Sequence, residues 1–189
     1  MADPPPTPAM RKAAERGRLL HALFERLPAV APGQRSAAAD RWLENAEGLT
    51  DALQRSEMVR AVCRVVDDPQ FADLFGPDSL AEAPVAAVVG DGQVVAGTAD
   101  RLLVTSDRVQ VVDFKTGRTA PATLDAVPTY HLRQMAAYVA ALEVIFPDRP
   151  VEAALLYTAG PTLFALPAEL ITAHKPGFAA AEQSLSPAS

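Results

Sequence analysis

Two adjacent segments near the middle of the chain, Gln93–Val104 and Arg108–Phe114, are rich in Val and Leu and alternate in character, which predicts two β-strands. The short segment Thr105–Arg108 connects them, so the strands are expected to form an antiparallel hairpin. A two- or four-residue loop at this connection places Asp100 directly opposite Asp113. Directly opposed residues share one face of a sheet, with Cβ atoms about 5 Å apart.

Lys115 lies two residues beyond Asp113, and because side chains alternate along a strand it is expected to point to the same face. Opposed carboxylates repel each other. A hard divalent cation offsets that repulsion, since carboxylate oxygens are its preferred ligands. Such a cation lowers the pKa of bound water and neutralises charge on phosphoryl oxygens. The spacing of Asp100, Asp113 and Lys115 therefore indicates a site for a divalent cation. If such a site acts on a phosphodiester, a lysine at this place can orient the water or stabilise the transition state.

The tripeptide Asp-x-Lys is a weak signal when it is taken alone. It arises by chance, and it can form an exposed ion pair of little energetic value at a strand end. Here the charged residues lie among Val111, Val112 and Phe114, and a charge in an otherwise buried strand requires a compensating partner. This context favours a metal site over a surface ion pair.

The rest of the chain shows helical periodicity first and strand-like patterns later. Apolar residues at three- and four-residue spacing predict helices at residues 11–27, 36–46, 50–66, 128–146 and 168–173, and a helical turn at 67–76. Further strands are expected at residues 81–89, 151–158 and 162–166. Thr50 is a candidate N-cap, and Asp91-Gly92 indicates a turn. This order predicts an α/β fold with a mixed β-sheet flanked by helices and an N-terminal helical segment.

The ends of the chain differ in composition from its middle. Residues 1–10 are rich in proline and are expected to be a linker or tail, and residues 174–189 a polar C-terminal tail. Residues 11–173 then form the predicted domain. No secretory signal and no long apolar run occurs in the sequence, so we expect a cytoplasmic protein without a membrane partner.

Composition also limits the class of function. Cys63 is the only cysteine, so the chain cannot hold a four-cysteine zinc site or an iron–sulfur cluster by itself. No G-x-G-x-x-G or Walker A motif follows a predicted strand, so we expect no nucleotide binding. The net charge of −6 argues against strong unaided affinity for DNA. Four basic residues crowd the first helix, where a solvated helix face is an equally good interpretation.

Several motifs together resemble the RecB-type branch of the PD-(D/E)XK nuclease superfamily. They are Gly97-x-x-Asp100-Arg101, Asp113-Phe114-Lys115-Thr116 and Gln134-x-x-x-Tyr138. Residues 16–28 strengthen the likeness, which is greatest to the C-terminal nuclease domains of alphaproteobacterial AddA helicase–nuclease subunits. The resemblance extends over roughly residues 14–172. It implies a restriction-endonuclease-like core.

The resemblance also implies roles for individual residues. Asp100 and Asp113 would bind Mg²⁺ or Mn²⁺, and Lys115 would be the catalytic lysine. His21 would be a further metal ligand, although its position beside an apolar helical stripe is also typical of a partly buried core histidine. Two residues of the fourth long helix, Gln134 and Tyr138, would support the site or contact DNA. Glu82 matches an acidic position of the family, but we expect it to be structural.

The family context implies partners as well. The substrate would be DNA, as a single strand delivered by a helicase, and the protein would work with a helicase portion or an AddB-type partner subunit in double-strand-break repair. Two alternatives remain open. The chain could be a non-catalytic binding or assembly module that keeps the nuclease fold, or a nuclease domain that is inactive without its helicase.

Overall fold

The computed structural model describes residues 5–90 and 92–176, which form two compact units. The first unit contains the described residues up to Phe75, together with Lys115–Ala120 and Tyr157–Pro161. The second contains Gly76–Phe114, Pro121–Leu156 and the described residues from Thr162 onward. Part of the predicted N-terminal tail, Asp91 of the predicted turn and most of the predicted C-terminal tail lie outside the described residues.

The first unit is built from helices. They are α1 (Pro8–Arg26), α2 (Arg35–Asn45) and α3 (Ala52–Val66), with 3₁₀ turns at Leu27–Ala29, Pro32–Gln34 and Pro69–Phe75. Helix α3 contacts both α1 and α2. The predicted apolar stripe of α1 is confirmed, because Leu20, Leu23 and Phe24 are fully buried.

Two helix starts differ from the sequence-based expectation. Helix α1 begins at Pro8, inside the segment predicted as a tail, because the Thr7 hydroxyl accepts a hydrogen bond from the Met10 N–H and proline suits the first helical turn. The N-cap of α3 is Asp51 rather than Thr50. The Asp51 carboxylate accepts hydrogen bonds from two backbone N–H groups, which satisfies donors that the first turn leaves unpaired.

The second unit contains a five-stranded sheet in the order β1-β2-β3-β4-β5, except for the last residues of β3 and β4, which belong to the first unit. The strands are β1 (Ser79–Val89), β2 (Gln93–Val104), β3 (Val109–Lys115), β4 (Val151–Tyr157) and β5 (Thr162–Leu166). Helix α4 (Thr129–Ile145) packs against β1 and β2, and the short helix α5 (Ala168–Thr172) contacts α4. A 3₁₀ turn at Leu124–Ala126 precedes α4. The predicted α/β class with a mixed sheet is confirmed.

The strand register follows the predicted hairpin. Val104 pairs with Val109 across the four-residue loop, and Arg101 pairs with Val112 in antiparallel register. Strands β3 and β4 run parallel, since hydrogen bonds join Val109 N–H to the Pro150 carbonyl (2.9 Å) at one end and the Lys115 carbonyl to Thr158 N–H (3.1 Å) at the other. The sheet is therefore mixed.

Helix α4 presents its buried face to this sheet. Leu132, Met135, Val139 and Leu142 are buried, as the spacing predicts. Gln134 and Tyr138 lie one turn apart on the same helix, so they share a side of it. Among the helices of the described ranges, none is both long and apolar enough to cross a membrane.

Candidate functional site

Three carboxylates lie side by side on the first three strands of the sheet. Extending the β2–β3 ladder by one position puts Asp100 across from Asp113, as predicted. The same extension of the β1–β2 ladder puts Glu82 across from Asp100. Carboxylate oxygens of Glu82 and Asp100 lie within 4.8 Å of each other. Each of three neighbouring strands therefore contributes one acidic residue at one level of the sheet.

The backbone at Glu82 is distorted. Its φ angle is 47°, and among the described residues it is the only one other than glycine with a positive φ. Ladder pairing passes over this residue while its neighbours Ala81 and Ala83 are paired normally. A non-glycine residue in this region costs roughly 1–3 kcal/mol, and such strain is typical of functional sites. The distortion therefore supports a role for Glu82 beyond packing.

Asp100 is held by the backbone of the neighbouring strand. The N–H of Phe114 donates a hydrogen bond of 2.5 Å to Asp100 Oδ2. The residue is only 9% exposed, so this bond compensates part of the cost of removing the carboxylate from water. The bond also fixes one oxygen of Asp100.

A chain of polar groups from α4 supports Asp113, which is 5% exposed. Gln134 Nε2 donates a 2.8 Å hydrogen bond to Asp113 Oδ1. Tyr138, one turn later, donates its hydroxyl hydrogen to the Thr98 carbonyl at 2.8 Å and interacts with the Gln134 side chain. These contacts fix the position of the Asp113 carboxylate.

The surroundings of the Tyr138 hydroxyl raise its pKa above the ordinary value. Burial is the largest cause, and the negative charges of Asp113 and Asp100 add to it. A hydrogen bond with Gln134 acts in the opposite direction but is outweighed. The phenol is therefore neutral at physiological pH and acts as a hydrogen-bond donor.

Tyr138 also explains one position of the motif on β2. A Cβ atom added to Gly97 would lie 2.8 Å from the Tyr138 hydroxyl oxygen and 2.9 Å from Cε1 of its ring. Real Cβ atoms do not approach other atoms so closely. Gly97 therefore allows α4 to bring Tyr138 against β2.

The two other predicted site residues belong to the first unit. Lys115 is the last residue of β3, and its side chain is half-buried. His21 is half-buried on α1, next to the buried Leu20. The catalytic role of Lys115 and the metal-binding role of His21 stay predictions, as do the roles of Asp100, Asp113, Gln134 and Tyr138.

The donor set fits a hard divalent cation. Glu82, Asp100 and Asp113 offer carboxylate oxygens only, which are the ligands that Mg²⁺ and Mn²⁺ prefer. Two of these carboxylates approach within 4.8 Å although like charges repel. A bound cation would remove that repulsion and would account for the buried charges of Asp100 and Asp113.

Sequence reasoning assigned Glu82 a structural role, and the structure places it among the site carboxylates. The available signal was the Glu-x-Pro pattern before the hairpin, which matched an acidic position of the family. The register of β1 against β2 is the same on both sides of Glu82, but no pattern in the sequence predicts the positive φ angle of this residue.

Comparisons with known proteins identify the family to which the chain is similar. The profile of the PD-(D/E)XK nuclease superfamily matches residues 2–186, which is nearly the whole chain. Among solved structures, that of SSO0001 aligns with 95% of this chain and 88% of its own, at 13% sequence identity and a TM-score of 0.37. No curated protein gives a significant match.

Proposed function

The chain belongs to the PD-(D/E)XK nuclease superfamily, and we propose that it is a metal-dependent deoxyribonuclease that hydrolyses phosphodiester bonds of DNA. The row of three carboxylates on β1, β2 and β3 is the observation that supports this function most directly. The hydrogen bonds that Gln134 and Tyr138 of α4 donate to the sheet strengthen the proposal. Metal-binding carboxylates are usually oriented by such hydrogen bonds, which carboxylates with a purely structural role do not need.

Asp100, Asp113 and Glu82 would hold the cation, which we propose to be Mg²⁺ or Mn²⁺. We propose His21 as a further ligand on the basis of the family resemblance of its helix. When bound, the cation would supply an activated water and neutralise charge on the scissile phosphate. The carboxylates would bind and orient it, and the hydrogen bond from Phe114 N–H to Asp100 keeps one ligand oxygen fixed.

Lys115 would act on the phosphate and the attacking water. It follows Asp113 by two residues on β3, and side chains two apart on a strand share a face. An ammonium group there can donate hydrogen bonds to the non-bridging phosphoryl oxygens, where negative charge develops in the transition state. Gln134 and Tyr138 would hold Asp113 in position and do not themselves need to touch the reacting atoms.

The biological setting that we propose is that of an AddA-type nuclease domain. In that setting the enzyme is an exonuclease that degrades a single strand delivered by a helicase during double-strand-break repair, with a helicase portion or an AddB-type subunit as partner. The resemblance of residues 16–28 and of the three site motifs supports this assignment.

A second candidate is a binding or assembly module that keeps the nuclease fold but does not cleave, or cleaves only with a helicase. The net charge of −6 favours it, because much of the affinity for DNA comes from neutralising phosphates with basic side chains. Measured cleavage by the isolated chain separates the two candidates.

The decisive experiment compares cleavage of labelled single-stranded DNA in Mn²⁺ by the wild type and by Asp113→Asn. We expect the substitution to reduce the rate by about 10²-fold or more, since a lost metal ligand costs several kcal/mol of transition-state stabilisation. Asp148→Asn is the matched control, because Asp148 is an exposed residue of the turn after α4. Equal rates for wild type and Asp113→Asn at matched purity would refute the assignment.

Calorimetric titration with Mn²⁺ addresses the scaffold alternative. An active metal centre should take up Mn²⁺ in the wild type and lose that uptake in Asp113→Asn. Absence of site-dependent uptake in the wild type would favour the non-catalytic module.

A further inference from the structure

An arginine-lined cleft lies in the first unit. It has a volume of about 230 Å³. Its lining residues are Arg16, Glu57, Arg60, Ala61, Arg64, Arg118, Thr158 and Ala159. Four of them are positively charged and one is negatively charged. This local excess of three positive charges contrasts with the net charge of −6 of the whole chain.

One carboxylate organises two of the arginines. Glu57 Oε1 accepts hydrogen bonds of 3.0 Å from both Arg16 and Arg118. Arg16 is further fixed by a 2.7 Å bond to the Thr116 carbonyl, and its side chain is only 12% exposed. Its buried Nε has no hydrogen-bond partner within the described part of the chain, which is unusual for a buried donor. Arg118 remains 68% exposed and can reach a ligand.

The other two arginines of the cleft lie on α3. Arg60 and Arg64 are four residues apart on α3, so they share one face of the helix with Glu57. Both are exposed, and neither makes a salt bridge in the portion of the chain that the structure describes. Arg60 donates only to the Ser56 carbonyl, within its own helix. Two guanidinium groups in the cleft are therefore available to an anion.

Two lining residues of the cleft are close to the proposed catalytic lysine, one in sequence and one through a hydrogen bond. Arg118 follows Lys115 by three residues, and the Lys115 carbonyl accepts a hydrogen bond from the N–H of Thr158, which lines the cleft. An anion bound in the cleft would thus lie against the loop that continues from the end of β3.

We propose that this cleft binds backbone phosphates of the DNA strand, an inference that rests on the proposed nuclease function. Guanidinium groups match phosphate oxygens in geometry and charge. None of the lining residues is aromatic, so the cleft offers no platform for stacking bases. The cleft therefore holds the strand independently of sequence, as phosphate contacts do.

The test measures affinity for a fluorescein-labelled oligodeoxythymidine in EDTA at several salt concentrations, under which conditions no cleavage occurs. Each phosphate contact on a single strand contributes about 0.7 to the slope of log affinity against log salt. The double variant Arg60→Ala/Arg64→Ala should bind more weakly than the wild type and lose about 1.4 of that slope. Alanine suits a helix interior, so α3 should stay folded; circular dichroism checks this.

Arg41→Ala/Arg108→Ala is the matched control, since it removes two exposed positive charges that lie outside the cleft. It should leave the slope close to that of the wild type. An equal loss of slope in both double variants would mean that only net charge matters, and it would overturn the proposal. So would an unchanged slope in the cleft variant, or no binding of this probe by the wild type.

Failure of this inference is distinguishable from failure of the proposed function. If the slope is unchanged while the wild type cleaves DNA and Asp113→Asn does not, only the cleft assignment fails. If the slope falls as expected but the wild type does not cleave in Mn²⁺, the cleft binds DNA and the hydrolase assignment fails.

Discussion

Gln134 Nε2 lies 2.8 Å from Asp113 Oδ1 and donates a hydrogen bond to it, which links helix α4 to the proposed metal ligand on β3. The acceptor is buried, and the same glutamine interacts with Tyr138. Because a carboxylate ligand must be oriented as well as present, Gln134 acts on the site through Asp113.

We predict that Gln134→Ala weakens Mn²⁺ binding and cleavage by about 10- to 100-fold, the usual effect of removing a hydrogen-bond partner of a metal ligand. Gln134→Ala leaves the three carboxylates in place, so it should lose less than Asp113→Asn. Calorimetry with Mn²⁺ and cleavage rates measure the two effects. Arg133→Ala, an exposed neighbour on α4, serves as the control and should bind Mn²⁺ as the wild type does. Unchanged Mn²⁺ affinity in Gln134→Ala would contradict the positioning role.

Gly97 and Tyr138 give a second prediction, which concerns stability. Gly97→Ala places a Cβ atom 2.8 Å from the Tyr138 hydroxyl oxygen, so the ring must move away from β2. We expect a loss of about 1–3 kcal/mol in the free energy of unfolding, as is usual when extra atoms enter a packed interior. Urea denaturation measures it.

A double-mutant cycle tests the cause of that loss. In a Tyr138→Ala background the clash partner is absent, so Gly97→Ala should cost much less than in the wild type. Equal costs in the two backgrounds would show that Tyr138 is not the reason for glycine at this position.

The hairpin that brings Asp100 to Asp113 could be predicted from sequence because both strands are dense in β-branched residues and the loop between them is short. A short loop allows few registers, and the buried face selects among them. The pairing of Arg101 with Val112 confirms the predicted register.

Helix starts were harder to predict from the sequence where two neighbouring residues could each serve as the N-cap. Thr50 and Asp51 are both residue types that cap helices well, so the sequence alone does not distinguish them, and the structure has Asp51 as the N-cap of α3. The first residue of α1 was predicted wrongly for a different reason. Proline-dense composition suggested a tail, whereas Thr7 followed by Pro8 forms a helix start.

Features that depend on distant parts of the chain could not be predicted. The backbone of Glu82 is distorted, and no local motif predicts its positive φ angle. The cleft is another such feature, since it combines residues of α1 and α3 with Arg118 and Thr158. The charged residues of the first helix were equally well explained by a solvated helix face. Arg16 differs from that expectation because it contacts Glu57 and the Thr116 carbonyl.

Arg55 is the source of a third prediction. Its buried guanidinium donates to the carbonyls of Leu49 and Thr50 and to Asp40, and so holds the α2–α3 connection. Arg55→Met removes these donors and leaves the carbonyls without partners, which should lower the Tm by roughly 5 °C or more. Arg55→Lys should also have a Tm below that of the wild type, because an ammonium group cannot reproduce the planar fork of donors. Thermal unfolding followed by circular dichroism measures the Tm of both variants. A Tm of Arg55→Lys equal to that of the wild type would contradict this account.

Glu57 gives a prediction about pH. Burial raises the pKa of this carboxyl, but hydrogen bonds and charges from Arg16 and Arg118 outweigh it, so the pKa lies below the ordinary value of 4.5. A group whose pKa is lowered by folding stabilises the folded state above its unfolded pKa and ceases to do so as the pH falls through the folded value. The stabilising effect of Glu57 is therefore complete above about pH 4.5 and disappears below it.

Comparison of wild type with Glu57→Gln by urea denaturation between pH 3 and pH 7 tests this. We expect the wild type to be more stable at neutral pH by up to about 1 kcal/mol, since a side chain that is 35% exposed is partly screened by water. The difference should shrink as the pH falls below 4.5. Glu25→Gln is the control, because Glu25 is exposed and forms no ion pair among the described residues, and its stability difference should not vary in this way. A difference for Glu57→Gln that stays constant over this range would show that its ion pairs with Arg16 and Arg118 are not what stabilises the folded state.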